Sequence, residues 1–458
     1  MKIQSSVFRR LNSRLSASLG PGESFGGSAP SSILKTMFNK ESTTVTYTNS
    51  KEGKPTTVSF SNLFLRDSSG SRKSVDPSSG QKLFTTGQLV LNPASTIPQR
   101  VDISEDKKGL HIEWGDGDKY LYPLAFLNRY SGHSSDLKSS PYTPVLWDQA
   151  LLKQNIKSLL STSYDSFMDP HSDRALYRTL VNMRKFGISF ITDFPDHQTS
   201  SESLVKKVAE RIGPIRRTFY GETFDVVNKP DAENIAYTNV ALPLHQDLLY
   251  LDSAPGWQIL HALKNPPGEG EAGMSYFSDA FNAARYVHDT HADAYEALTQ
   301  VPINYCYQRD DKRYYNSRPL VVENEATAEN LALSSFASRI KEISYSPMFQ
   351  APFDFGIWEK PKDHDISTPS GKMTQRLIFK EFLRGLAQFE KFVKMPQNQF
   401  RLKLPENTCV IFDNRRILHG RAAFSGERWL QGCYLDDDAV KSRLLHLIKT
   451  GDESLTKN

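Results

Sequence analysis

The chain has 458 residues, 38% hydrophobic and 11% aromatic, which is enough for a substantial core and for two or three domains. With 56 Lys and Arg against 52 Asp and Glu, the net charge is only +4, which argues against a nucleic-acid-binding or polybasic membrane role. The three cysteines (Cys306, Cys409, Cys433) exclude a disulfide framework and a cysteine-only zinc site and point to a reducing compartment, and no apolar run is long enough to cross a membrane.

The first twenty residues carry Lys2, Arg9, Arg10 and Arg14 and no acid, the first being Glu23. Ile3, Val7, Leu11 and Leu15 recur every four residues, the pattern of an amphipathic mitochondrial matrix presequence, with a basic disordered terminus as the alternative. Gly, Ser and Pro dominate residues 20–33, so 1–35 reads as presequence and spacer. From Thr43 onward, Thr44–Tyr47 alternates and Val58–Phe60 follows a turn at Gly53. Leu89–Leu91 and Leu110–Trp114 read as further strands, and Asp116-Gly117 predicts a tight hairpin before Tyr120–Tyr122. These make a small β-rich domain over 36–135, followed by a polar linker from Ser131 to Thr143 and a larger domain over 136–458.

The larger domain opens with a helix from Leu176 to Phe186, stopped by Gly187, and a strand at Ile188–Ile191. A helix over Leu204–Ala209 ends before Gly213-Pro214, and strands follow around His245 and from Gln258 to Ala262. A helix from Asp279 to His288 and strands at Phe400–Leu404 and Val410–Phe412 complete the outline. Many strands with turn signals and a few covering helices make the domain mainly β with flanking helices, in a jelly-roll arrangement.

Three His-x-Asp triplets occur. His171-Ser172-Asp173 precedes a helical pattern, where its Ser or Asp caps the helix, and His291-Ala292-Asp293 runs into a second helix. Residues i and i+2 on a helix do not face each other. His245-Gln246-Asp247 alone has strand context, where alternate side chains share a face. With His419 far downstream it offers the two-His, one-carboxylate set of a non-haem Fe(II) site, and Arg428 offers a fork for a carboxylate. From the residues alone, a hydrogen-bonded His and Asp at a strand end remains the alternative, as does a surface ion pair for Arg428.

Over about residues 160–445 the chain resembles the γ-butyrobetaine and trimethyllysine dioxygenase branch of the taurine dioxygenase-like Fe(II)/2-oxoglutarate oxygenases. The resemblance is carried by Phe219-Tyr220-Gly221, Asn234–Thr238, His245-Gln246-Asp247, Asp413–Arg421 and Arg428–Tyr434, and by Phe64–Asp67 in the N-terminal domain. Tyr345-Ser346-Pro347 and Phe349–Pro352 are similar to fungal members. The resemblance implies a double-stranded β-helix, with iron on His245, Asp247 and His419 as the catalytic centre. It also implies 2-oxoglutarate on Arg428, with Ser275 nearby, and ascorbate as reductant. Tyr220, Phe224, Tyr237 and Tyr434 match an aromatic cage for a trimethylammonium group, and Phe224 stands where the branch often has Trp. For any one of these rings, and for Ser275, an ordinary core or structural role is the alternative.

Asn234 matches a residue that helps bind the substrate carboxylate, which favours γ-butyrobetaine over trimethyllysine. A related small-acid oxygenase, or a mitochondrial protein that keeps the fold without the chemistry, stays open as an alternative. The partner expected is a small molecule, with no nucleic acid and no membrane span; a homodimer is left open. The branch often has a zinc site in its N-terminal domain, but here Ser69, Ser71, Ser74 and Asp118 stand at the ligand positions. Hydroxyls do not replace thiolates as zinc ligands, so no structural zinc is expected.

Overall fold

The computed structural model describes residues 32–48, 55–131, 142–195, 203–228, 235–266, 270–324, 335–353 and 369–450. The presequence region and Asn234 lie outside them. The chain divides into two compact units, residues 1–139 with 456–458, and residues 140–455.

The N-terminal unit has two antiparallel three-stranded sheets. One joins β1 (Ile33–Phe38), β2 (Ser42–Thr48) and β3 (Pro55–Ser61), and the other β4 (Pro98–Ile103), β5 (Gly109–Trp114) and β6 (Lys119–Pro123). Strand pairing therefore begins at Ile33, ten residues before the alternation that marks Thr43 in the sequence, because Ile33 is buried and pairs with Tyr47. Val45, Tyr47 and Phe60 bury against Leu110, Ile112, Trp114 and Tyr122. The hairpin at Asp116-Gly117 has its glycine at φ +79°, a conformation that favours Gly. Leu89–Leu91, expected as a strand, belongs to a helix over Thr86–Leu91 instead. Thr85 and Gln88 form a reciprocal capping box that fixes the helical start, and this local signal outweighs the β-branched and aliphatic composition.

In the larger unit β7 (Ser161–Ser163), β8 (Ile188–Thr192), β9 (Thr223–Val227), β10 (Leu242–His245), β11 (Trp257–Lys264) and β12 (Ser275–Asp279) come first. They are followed by β13 (Pro302–Arg309), β14 (Lys312–Pro319), β15 (Val321–Glu323), β16 (Ile340–Ile343), β17 (Phe400–Leu402), β18 (Thr408–Asp413), β19 (Ile417–Arg421) and β20 (Trp429–Leu435). A four-stranded sheet runs β10-β19-β12-β17, and a six-stranded sheet runs β7-β8-β18-β11-β20-β9. The two sheets face each other across a shared core: Phe277 of β12 meets Phe412 of β18 edge-on at 5.5 Å, and Phe400 of β17 meets Phe190 of β8 at 6.3 Å. β11 carries seven buried residues in a row, as a strand covered on both faces must. Helices over Arg174–Phe186, Leu204–Ile212 and Asp437–Thr450 cover the outer face of the larger sheet through Leu180, Val208 and Leu444. The unit is mainly β with flanking helices.

Candidate metal centre and substrate pocket

The site is assembled where β10 meets β19. His245 and His419 are direct cross-strand partners, and their ring centroids lie 4.2 Å apart. Gly420 permits the close approach: a Cβ there would stand 2.7 Å from the carbonyl of Leu242. His245 donates from Nδ1 to the Pro243 carbonyl at 2.8 Å, which fixes the tautomer and leaves Nε2 as a free donor to a metal.

The third group, Asp247, does not sit on the strand. β10 ends at His245, so alternation along a strand is not what brings Asp247 round. The buried side chain of Asn414 does this. It accepts from the Asp247 amide at 2.9 Å and donates to the Asp247 carbonyl at 3.0 Å. Leu248 then takes φ +61°, a left-handed conformation uncommon for an aliphatic side chain, to complete the turn. As a result Asp247 Oδ1 lies 3.2 Å from His245 Nε2 and 3.8 Å from His419 Nε2.

All three donor atoms fall within 4.8 Å of one another. Burial alone would raise the Asp247 carboxyl, but its close contacts with His245 and His419 and the hydrogen bond from the Tyr434 hydroxyl hold it far below the usual range. Burial, reinforced by His245, pushes His419 down to about 3, so its imidazole is neutral and ready to ligate. No Lys or Arg pairs with Asp247 among the described residues. Two imidazoles and one carboxylate, with no counter-cation among the described residues, fit a divalent metal, and this donor set leaves part of the coordination sphere open.

A cavity of about 800 Å³, including its mouth, opens beside these ligands. One end is cationic. Arg421 and Arg428 both line it, and both are almost fully buried. Burial pulls Arg428 down to about 9, helped by its neighbour Arg421, and Arg421 down to about 10. Arg428 has no hydrogen-bond acceptor or carboxylate partner among the described residues and lies over the ring of Phe424, at 5.8 Å. A buried cation left this way calls for an anionic ligand. Ser275 lines the same end, as the cross-strand partner of Arg421.

Four aromatic rings cluster in the same lining. Tyr220 lies 6.4 Å from Phe224 and 6.2 Å, edge-on, from Tyr237, and Phe224 stacks on Tyr434 at 4.9 Å. Gly432 makes room for Phe224, since a Cβ there would come within 2.6 Å of the ring.

Residues 155–434 match the model of the taurine catabolism dioxygenase TauD, TfdA family. The chain is 47% identical over 435 residues to probable oxidoreductase AIM17 of Saccharomyces cerevisiae, covering 91% of this chain and 90% of the relative. This chain belongs to the TauD/TfdA dioxygenase family. More distant relatives include the gamma-butyrobetaine dioxygenase of Pseudomonas sp. (strain AK-1), 29% identical, covering 85% of this chain and 90% of the relative. The mitochondrial trimethyllysine dioxygenase of Bos taurus is 28% identical, with coverages of 85% and 83%. Family membership and the donor set together make the chain a dioxygenase of the Fe(II)/2-oxoglutarate type.

Of the residues singled out in the sequence, the structure brings His245, Asp247, His419, Arg428, Ser275, Tyr220, Phe224, Tyr237 and Tyr434 around one cavity. Tyr434 has a second contact that its cage assignment does not cover: its hydroxyl donates to Asp247 Oδ2 at 2.7 Å, leaving Oδ1 turned to the histidines. The other two His-x-Asp triplets lie at helix starts. Asp173 occupies the N-cap position without a side-chain capping bond and pairs with Arg211 at 2.8 Å. His291 precedes the helix over Ala292–Gln300.

Tyr345 lies beside the ligands through Gln246, which bonds it in both directions at 2.9 Å, whereas it is Phe349 that reaches the cavity. Asn414, Gly420, Arg421, Tyr250 and Phe349 were not singled out for a site role in the sequence. Asn414, Gly420 and Arg421 stood within the family-like run Asp413–Arg421, so a signal was present, but their roles depend on contacts across strands. Phe349 stood in the family-like run Phe349–Pro352 and reaches the cavity from a 3-10 turn over Pro347–Phe349, whereas Tyr250 reaches it from a loop with no distinguishing pattern.

Proposed function

We propose that this dioxygenase hydroxylates a small trimethylammonium acid, γ-butyrobetaine in preference to trimethyllysine, and so forms L-carnitine. The observation that carries this is the make-up of the cavity wall: four mutually packed aromatic rings, and no acidic side chain among the described lining residues except Asp247, which is committed to the metal. Aromatic faces attract a permanent cation that needs no hydrogen-bond acceptor. The α-ammonium of trimethyllysine would need a buried counter-charge that these residues do not offer. The similarity to a gamma-butyrobetaine dioxygenase supports the same reading. Asn234 is proposed to receive the substrate carboxylate, and the catalytic unit is proposed to wind as a double-stranded β-helix.

Fe(II) held by His245, Asp247 and His419 would supply the oxygen chemistry, with 2-oxoglutarate decarboxylated to succinate and CO2. The protein's part is positioning. Arg428 and Ser275 hold the co-substrate's distal carboxylate. The rings of Tyr220, Phe224 and Tyr237 fix the cation so that one C–H is presented to the metal, and the apolar wall of Leu242, Leu260, Val410 and Leu430 excludes water. The matrix is the proposed location, from Arg9, Arg10 and Arg14 in the leader. Deleting residues 1–31 is expected to abolish import and to leave the activity of the purified enzyme intact.

The deciding assay uses purified protein with Fe(II), ascorbate and 2-oxoglutarate, read by succinate and product mass. γ-Butyrobetaine is expected to turn over a few-fold to about thirtyfold better than its neutral tert-butyl analogue. Tyr237→Leu is expected to raise KM for γ-butyrobetaine about tenfold and leave that for 2-oxoglutarate unchanged. Equal turnover of both compounds, or none of any trimethylammonium compound, would refute this reading.

A further inference from the structure

Residues 236–240 form an arch beside Arg421, and its first residues, Ala236 and the aromatic Tyr237, line the cavity. Its carbonyls converge on one side chain. Arg421 donates to Ala236 O at 3.1 Å, to Thr238 O at 2.7 Å and to Val240 O at 2.8 Å. Between them the Asn239 carbonyl accepts from the Phe424 amide at 3.1 Å. The ring of Phe424 in turn lies beneath both guanidinium groups, 4.7 Å from Arg421 and 5.8 Å from Arg428. Two buried cations share one ring, and no carboxylate pairs with either among the described residues.

We propose that Arg421 is a positioning residue that couples the co-substrate to the substrate wall. It ties the Tyr237 arch to β19, and an anion on Arg428 relieves the repulsion between the two guanidiniums and tightens that tie. Neutral carbonyl dipoles hold Arg421 while the Arg428 charge opposes it from behind Phe424. An arriving dianion cancels that opposition, so the arch closes more firmly on the cation cage when co-substrate is bound. Linkage then requires the organic substrate to strengthen co-substrate binding by the same factor. The inference rests on the reading that the co-substrate's distal carboxylate meets Arg428, and not on the identity of the organic substrate.

The test is hydrogen exchange of the amides of residues 235–241 in Mn(II)-loaded full-length protein, with and without N-oxalylglycine, an analogue of 2-oxoglutarate that is not turned over. In the unmodified protein the analogue is expected to slow exchange at least fivefold. Arg421→Lys keeps the charge but cannot reach three carbonyls. It is expected to bind the analogue within about threefold of normal and to lose the added protection. Phe424→Leu, which leaves the three carbonyl bonds in place, is expected to keep at least half of it. No analogue-dependent slowing in the unmodified protein, or full slowing in Arg421→Lys, overturns the proposal. In calorimetric titrations the analogue is expected to tighten γ-butyrobetaine binding at least fivefold, and this gain should vanish in Arg421→Lys. If γ-butyrobetaine does not bind at all, the substrate assignment fails while the exchange result still decides the role of Arg421.

Discussion

In the N-terminal unit, Ser69, Ser71, Ser74 and Asp118 converge on one buried point, as His245, Asp247 and His419 do in the larger unit. Ser69 Oγ donates to Asp118 Oδ2 at 2.6 Å, Ser74 Oγ to the same oxygen at 3.2 Å, and Ser71 Oγ to Asp118 Oδ1. Arg66 closes the cluster, 3.3 Å from Asp118 and 2.8 Å from both Ser74 Oγ and Asp116. Here every donor named meets an acceptor, and the buried Asp118 carboxylate has a guanidinium beside it. At the other cluster His245 Nε2 and Asp247 Oδ1 lie 3.2 Å apart, with no cation among the described residues to balance the carboxylate. One arrangement satisfies itself and needs nothing further; the other is completed by a metal. Convergence of polar groups is therefore not the mark of a metal site. What marks one is donor capacity left unused, with unbalanced negative charge.

The largest effect that would break this contrast is at Asp247. Asp247→Ala is expected to reduce 2-oxoglutarate turnover to background and to abolish tight Fe(II) or Mn(II) binding, while the thermal unfolding curve stays close to that of the parent. Residual turnover above a few per cent would show that the open cluster does not need its carboxylate. Next comes Gly420→Ala, which pushes a methyl against the Leu242 carbonyl and separates the two histidine strands. Metal affinity is expected to fall about 10- to 100-fold, with a stability loss of about 1–3 kcal/mol.

On the self-satisfied side, Asp118→Ala removes the acceptor of three hydroxyls and half of the charge opposite buried Arg66. A loss of about 2–4 kcal/mol is expected from denaturant unfolding, with metal content and KM unchanged. Washing with a strong chelator is expected to leave the N-terminal unit's unfolding unaltered and to find no stoichiometric zinc. Zinc retained at one per chain would overturn the contrast. The smallest effect is Phe224→Trp, expected to change γ-butyrobetaine affinity by no more than a few-fold, towards tighter binding, because indole presents a stronger face to a cation than phenyl.

The ligands and Arg428 were legible as candidates because His-x-Asp, a distal His and an Arg are short chemical patterns, while the aromatic wall, spread over Tyr220, Phe224, Tyr237 and Tyr434, came only from the resemblance to the family. Strand positions around Ile188, Gln258 and Val410 were legible because buried strands leave a local apolar signature. The N-terminal boundaries were less so. Ile33 joins a sheet through a partner fourteen residues away, and Leu89–Leu91 turns helical because Thr85 and Gln88 cap each other.

What tertiary structure alone decided is how these residues meet. Asp247 leaves the strand and is brought round by Asn414, which lies across the larger unit's fold in another turn. His245 faces His419 because β10 and β19 pair, and Gly420 lets them close. Tyr434 reaches the metal carboxylate as well as the cavity, and Arg421 gathers three carbonyls of residues 236–240. The sequence determined which chemical groups this protein has, since those are properties of single side chains. The pairing of strands distant in the chain determined which groups share a space, and with it which charges are balanced and which await a ligand.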